Sequence, residues 1–240
     1  MKVLAYYPLH YGKEYLKESL LSIVNHVDEI CILYTDRPSY GHGTSEVCPE
    51  AEEELRVIVK DVCGSKYSWV KRNYAHEGEH RSFIERISDN QDLILAVDAD
   101  EVWGEIELDN CLKQAYDNKE CKYFGINGYV NFWRSFNYAC YDGFAPVRII
   151  NRNNTSRMQQ VLNGKIYHFS CAQNLEIIRY KWEIHGHKNE LRPDWFDKYN
   201  RFELQDVHPV SIGLWNATPF DKTTLPEILK RHPNYNKELI

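Results

Sequence analysis

No two cysteines of this chain stand at C-x-x-C spacing. The seven present (Cys31, Cys48, Cys63, Cys111, Cys121, Cys140 and Cys171) are odd in number and scattered. That speaks against a zinc knuckle or a disulfide framework and for free thiols in a reducing compartment. No apolar run reaches the length of a membrane span. The opening MKVLAYYPLHYGKEYL has no continuous apolar stretch of the signal-peptide kind, so a cytoplasmic protein is expected. Excess positive charge is also missing: 35 Asp and Glu against 29 Lys and Arg leave a net charge of -6. A broadly basic nucleic-acid surface is therefore not expected. Internal repeats, low-complexity segments, a phosphate loop, G-x-G-x-x-G and G-x-S-x-G are all absent. Kinase, dehydrogenase and serine-hydrolase readings have no support.

What is present points to one large α/β domain: 240 residues, 43% of them apolar, suffice for a sizeable core. The most informative stretch is LILAVDADEVW, residues 93–103. Its apolar run from Leu93 to Val97 lacks polar alternation and reads as a buried strand of a parallel sheet. The run stops at Asp98-Ala99-Asp100-Glu101, which places an acidic cluster at the strand's carboxyl end. In open α/β sheets ligands bind at that edge. Carboxylates at i and i+2 can both approach one hard cation, and the cation can hold a diphosphate. A strand that buries itself and ends in three acids is costly unless something pairs with them.

Strands and helices alternate along the first half. Strands are expected at Val3–Tyr6, Ile30–Tyr34 and Arg56–Val59, the last following an acidic helical turn at Glu50–Glu54. A helix carries Leu16, Leu20, Ile23, Val24 and Val27 on one face, and another spans about Glu79 to Ser88. Ser39–Pro49 reads as a loop. Beyond residue 104 the strands Tyr123–Trp133, Pro146–Ile150 and Lys165–Ser170 precede helices at Leu175–Ile184, capped by Asn174, and at Trp195–Phe202. The polar segment from about 219 to 240, with three prolines, reads as a loosely attached tail.

With these features in place, the chain resembles the GT-A glycosyltransferases, and within them the family-two-like group. The matching residues are LAVDADEVW (95–103) and GKIYHFSCAQNLEIIRYKW (164–182). The second is similar to the H-x-S block, followed by a helix with Lys, of bacterial enzymes that add sugars to lipopolysaccharide cores. The β-mannosyl N-acetylglucosaminyltransferases are similar too. The resemblance implies an α/β fold of GT-A type, with a mostly parallel central sheet flanked by helices and a more variable acceptor half at the C-terminal side. The resemblance covers roughly residues 1–200; one domain is expected over 1–218, with a nucleotide-binding half (1–104) and an acceptor half (105–218), followed by the tail 219–240. The implied activity is metal-dependent transfer of a sugar from a nucleotide-sugar donor, UDP-linked by preference, to a hydroxyl acceptor. The acceptor would be a glycan, a lipid-linked glycan or another hydroxyl compound; a nucleic-acid acceptor is open but disfavoured by the acidic charge.

The resemblance also implies site residues. Tyr7 and Pro8 would line the base, Asp36 would contact the uracil or ribose, and Arg81 would face the base or the diphosphate. Asp98 would reach the ribose or a metal-bound water, Asp100 would bind Mn²⁺ or Mg²⁺, and His168 would complete the metal site, with His187 of His185-Gly186-His187 in reserve. Each has a plainer reading: Tyr7 as core, Asp36 as a turn residue beside Pro38, Arg81 as a surface arginine, His168 as a packed histidine between Tyr167 and Phe169.

The sequence departs from the family where the base should lie: the region before the H-x-S block reads Arg157-Met158-Gln159-Gln160-Val161, without an acid. An inverting transferase needs a carboxylate to deprotonate the acceptor hydroxyl. Asp142 is the preferred candidate and Asp194 the second; a retaining scheme without such a base stays open. Two rivals come from other classes. Asp98-Ala99-Asp100-Glu101-Val102 also fits the D-x-D-x-[TV] nucleophile motif of haloacid-dehalogenase-like phosphatases, in which Asp98 would be phosphorylated. The absence of an evident base also fits a domain that only binds carbohydrate or nucleotide.

Overall fold

The structure, a computed structural model, describes residues 1–38, 47–87, 90–141, 143–185 and 188–240. The first half runs β1 (Val3–Leu9), α1 (Lys13–Ile23), β2 (Glu29–Tyr34), α2 (Glu52–Cys63), β3 (Tyr67–Lys71), α3 (Glu77–Ile87) and β4 (Leu93–Ala96). After the acidic turn come β5 (Glu101–Trp103), α4 (Glu105–Asp117), β6 (Tyr123–Trp133), β7 (Tyr138–Cys140), β8 (Val147–Asn151) and β9 (Gln159–Cys171). The chain then forms α5 (Leu175–Glu183), α6 (Trp195–Arg201), β10 (Thr218–Pro219) and α7 (Glu227–Lys230).

All these strands belong to one sheet, in the order β10-β7-β6-β8-β4-β1-β2-β3, with β9 paired to β6 and β5 to β9. The block β4-β1-β2-β3 is parallel throughout. The strand β8 then joins β4 antiparallel and β6 joins β8 antiparallel, while β9 runs parallel to β6. The expected α/β fold, a central sheet with helices packed on it, is present.

Both faces of the parallel block are covered, so its strands carry no polar alternation. Val3, Ala5, Tyr7 and Leu9 pack with Leu16, Leu20, Leu55, Val59 and Leu108 from α1, α2 and α4. Their sequence neighbours Leu4 and Tyr6 pack on the opposite face with Ile84 of α3. Parallel pairing sends the chain ends after β1, β2 and β4 to the same edge of the sheet, and that edge carries the cleft described below.

Two expectations change. The strand expected at Arg56–Val59 lies inside α2. The β-branched run Val57-Ile58-Val59 suggested a strand, but Leu55, Val59 and Cys63 recur every four residues and all three are buried. Three glutamates in the first turn also suit a helix N-terminus. The third strand is β3, which pairs with β2 through Ile30↔Tyr67 to Tyr34↔Lys71. The segment from 219 is not loosely attached. Leu225 and Leu229 are buried in a cluster with Tyr15, Phe136 and Phe169. The His232 ring stacks on Tyr15 at 4.6 Å, and the backbone N–H of Ile240 donates to Arg134 O at 2.7 Å. All seven cysteines are free thiols, as expected.

Candidate active site

A cleft of about 400 Å³ opens at the carboxyl edge of β1 and β4, a size within the range of small-molecule sites. Its lining includes Pro8, His10, Tyr11 and Pro38 as well as Glu77, Arg81, Asp98, Asp100, His168 and Lys181. The turn Asp98–Asp100 leads from β4 into β5, and β5 pairs antiparallel with β9 so that Glu101 stands opposite His168. This pairing carries a residue some seventy positions later to the acidic turn. Gly12, just before α1, holds φ 135°, and a Cβ there would lie 2.5 Å from the Cβ of Ala99. Only glycine permits this approach.

On one side of the turn, both oxygens of Asp98 are held by guanidinium groups. Arg81 Nη1 donates to Oδ1 at 3.0 Å and Arg148 Nη2 to Oδ2 at 2.7 Å. Burial raises the Asp98 pKa, but Arg81 and Arg148 outweigh it and hold the carboxyl well below the usual carboxylate range. Arg148 also donates to the fully buried Glu101 (Nη2 to Oε1 2.5 Å, Nε to Oε2 3.1 Å), and the Tyr129 hydroxyl donates to Glu101 Oε1 at 2.8 Å. Arg81 is further tied to Glu77 at 2.7 Å. This is the pairing that burial of the acidic turn demanded.

On the other side, Asp100 faces β9 and α5. Gln173 Nε2 donates to Oδ2 at 2.9 Å, and Lys181 Nζ lies 3.4 Å from the same oxygen. His168 Nε2 lies 3.7 Å from Oδ1. The other ring nitrogen of His168 meets Asn131 Oδ1 at 2.8 Å. An amide oxygen only accepts, so Nδ1–H is the donor of this bond, and Nε2 is turned toward Asp100. Lys181 also donates to Ser170 Oγ at 2.6 Å. Burial disfavours its ammonium, Tyr11 and Asp100 favour it, and the balance raises the Lys181 pKa above the ordinary lysine value. A lysine held protonated does not serve as a base for Ser170.

The structure thus brings together Pro8, Arg81, Asp98, Asp100 and His168, and sets three expected residues apart. Tyr7 is fully buried in the core on the α1 side, its hydroxyl 3.2 Å from Ser19 Oγ; its strand neighbours Pro8 and His10 reach the cleft instead. Asp36 lies outside the cleft lining and pairs with Lys71 at 3.3 Å on the surface. Asp194, the second candidate base, is half exposed at the start of α6 and bound to Arg192 at 2.8 Å, also outside the cleft lining. Asp142 and His187 lie outside the described residues, as do positions 39–46 of the expected loop; His185 lines the cleft.

Among the described residues, no cluster of three or more His, Cys, Asp or Glu is arranged to hold a metal ion. Both oxygens of Asp98 accept from arginine, which makes it the more heavily engaged acid of the turn. Asp100 Oδ1 and His168 Nε2 remain as a facing oxygen and nitrogen donor. A magnesium-type cation is often held by one or two protein ligands, with phosphates and water completing the shell. The charges around the cleft fit such an ion: the four carboxylates Glu77, Asp98, Asp100 and Glu101 face the three cations Arg81, Arg148 and Lys181. A diphosphate added to this set calls for further positive charge.

Sequence reasoning missed Tyr129, Asn131, Arg148, Gln173 and Lys181 as site residues. Arg148 in Val147-Arg148-Ile149-Ile150 and Asn131 in Val130-Asn131-Phe132-Trp133 are polar residues inside apolar strands. That is the available signal, because a buried polar group requires a partner.

No protein-family model matches the chain, and no curated protein does. Solved structures with a similar shape include TarS 1-349 of S. aureus, 13% identical, with a TM-score of 0.46 over 85% of this chain and 75% of that one. The inositol-1-phosphate CTP transferase from T. maritima is 10% identical, with a TM-score of 0.44 over 77% of this chain and 96% of that one. HddC from Yersinia pseudotuberculosis is 10% identical, with a TM-score of 0.44 over 70% of this chain and 93% of that one.

Proposed function

We propose that this chain is a glycosyltransferase of GT-A type, moving a sugar from a nucleotide-sugar donor, UDP-linked by preference, to a hydroxyl acceptor such as a glycan or a lipid-linked glycan. The observation that carries the reading is the pair Asp100 Oδ1 and His168 Nε2, 3.7 Å apart in a cleft at the carboxyl edge of parallel strands. Asp100 and His168 would hold Mn²⁺ or Mg²⁺, which when bound supplies Lewis-acid charge neutralisation to the departing nucleoside diphosphate. Pro8, His10, Tyr11 and Pro38, which line the cleft, would receive the base. Arg81 and Arg148 orient the acidic turn through Asp98. Asn131 orients the His168 ring through its hydrogen bond to Nδ1.

The acceptor base is assigned to Asp142 on sequence alone, and Asp142→Asn tests it through turnover at unchanged nucleotide binding. The phosphatase alternative is disfavoured, because its nucleophile would be Asp98, and both oxygens of that carboxylate are bound to guanidinium groups.

The test is a thermal-shift screen of UDP-, GDP-, CMP- and dTDP-sugars with and without Mn²⁺. A ligand at a hundredfold excess over Kd stabilises the fold by about 2.7 kcal/mol. Asp100→Ala is expected to keep the fold and lose the metal-dependent part of the shift. A shift of full size in that variant refutes the metal assignment. Nucleotide binding without any sugar transfer or donor hydrolysis would leave a binding domain.

A further inference from the structure

We propose that Lys181 is the residue that contacts the donor's diphosphate directly, a role independent of the metal; this rests on the nucleotide-sugar reading of the cleft. The argument starts from how the cations around the acidic turn are engaged. Arg148 donates to Asp98, Glu101 and Tyr129 and is nine-tenths buried behind the turn. Arg81 is clamped between Glu77 and Asp98. Each guanidinium thus answers two carboxylates.

Lys181 is differently placed. An ammonium has three N–H donors. One meets the Ser170 hydroxyl at 2.6 Å and one reaches Asp100 at 3.4 Å, a long contact. The third has no acceptor among the described residues, and the side chain lines the cleft with about a quarter of its surface exposed. Among the described residues it is the cation at the acidic turn that answers a single carboxylate, whereas Arg81, which also lines the cleft, has its charge matched by both Glu77 and Asp98.

Its anchorage suits the task. The α5 helix carries Lys181 in its last turn, and Tyr180 beside it donates its hydroxyl to His10 Nε2 at 2.7 Å, tying the helix to the end of β1. The His10 Nδ1–H is taken by Thr35 O at 2.8 Å, so Nε2 is the acceptor. Ser170, one strand turn from His168, holds the Lys181 ammonium on the same side of the cleft as Asp100. An anion that approaches Asp100 with its counter-cation therefore meets a lysine already in position.

The rival role is a purely structural one, in which Lys181 only steadies Asp100. Calorimetry in EDTA separates the two. The probes are the diphosphate among UDP, GDP, CDP and dTDP that the wild-type chain binds best, and its parent nucleoside. Lys181→Met is expected to weaken the diphosphate roughly ten- to a hundredfold, the worth of one charge-assisted hydrogen bond, and to leave the nucleoside unchanged. Lys181→Arg is expected to keep most of the affinity. Asp100→Asn, which removes a negative charge and keeps the lysine, is expected to bind the metal-free diphosphate at least as well as wild type. If Lys181 only steadied Asp100, Asp100→Asn would weaken the diphosphate as Lys181→Met does, and the proposal would be overturned. Equal or absent losses for diphosphate and nucleoside in a folded Lys181→Met also overturn it. If the wild-type chain binds none of the four diphosphates with or without Mn²⁺, the donor-site reading itself fails and this inference with it.

Discussion

Asp98 and Asp100 stand two residues apart in one turn, yet among the described residues no side chain hydrogen-bonds to both. Asp98 is met by Arg81 from α3 and Arg148 from β8, and both its oxygens are occupied. Asp100 is met by Gln173, Lys181 and His168, which come from β9, α5 and the link between them. One carboxylate belongs to a closed ionic network with Glu101 at its buried centre. The other belongs to an open set in which His168 and the Lys181 ammonium line the cleft. The difference teaches that a D-x-D spacing does not make its two acids equivalent. The first acid holds the turn in shape, and the second is the one the proposed metal site uses.

The largest expected effect breaks the closed side. Arg148→Met leaves Glu101 charged, fully buried and without its guanidinium. Removing one partner of a buried pair costs about 3–5 kcal/mol. Urea denaturation should show that loss, and Glu101→Gln added to Arg148→Met should recover part of it. A wild-type midpoint for Arg148→Met would mean that the network does not support the fold.

A smaller effect also belongs to the closed side. His80 lies on α3 next to Arg81, and its Nε2–H donates to Leu33 O at 2.6 Å. Burial pushes its pKa down to about 4, the Leu33 contact opposes this, and Arg81 adds to it. The unfolded chain takes up this proton near pH 6.5 and the folded chain near 4, so between them the unfolded state binds more protons. Stability from this group is fully present above pH 6.5 and falls as the pH drops toward 4, by at most about 3 kcal/mol. Asp98, held below the usual range, keeps its charge through this window. The check is denaturation at pH 7, 5.5 and 4.5: His80→Gln should flatten the slope, and an unchanged slope would remove His80 from the account.

The smallest effect on the fold is expected on the open side. His168→Ala removes a partly exposed ring held by one hydrogen bond, to Asn131. It should cost about 1 kcal/mol of stability, the usual worth of such a bond, while the Mn²⁺-dependent part of the nucleotide shift disappears. If His168→Phe retains that metal-dependent shift, the ring is packing and the open side has lost its nitrogen donor.

Much of this architecture was readable along the chain, where the signals are local. The β6 strand has the bounds read from its apolar pattern, Tyr123–Trp133. Asn174 caps α5 by accepting from Glu176 N at 2.9 Å, and LILAV forms β4 and its exit. What escaped is set by distance or by covered faces. Arg148 answers Glu101 from 47 residues away, and nothing near either residue announces the other. Tyr7 was misread because both faces of β1 are buried, so neighbouring residues enter different cores with no change in polarity. The Arg56–Val59 strand failed because a β-branched run outvoted a four-residue period.

The contact between Gly12 and Ala99 has a consequence for descent. A Cβ at position 12 would sit 2.5 Å from that of Ala99, so a side chain there would push on the middle of the acidic turn and change the gap between its two flanking carboxylates. A bulkier residue at 99 meets the same wall from the other side. The two positions are therefore not free to drift separately. Among relatives that keep this turn, a change at one should be accompanied by a matching change at the other, and paired substitution at 12 and 99 becomes an inherited mark of the geometry.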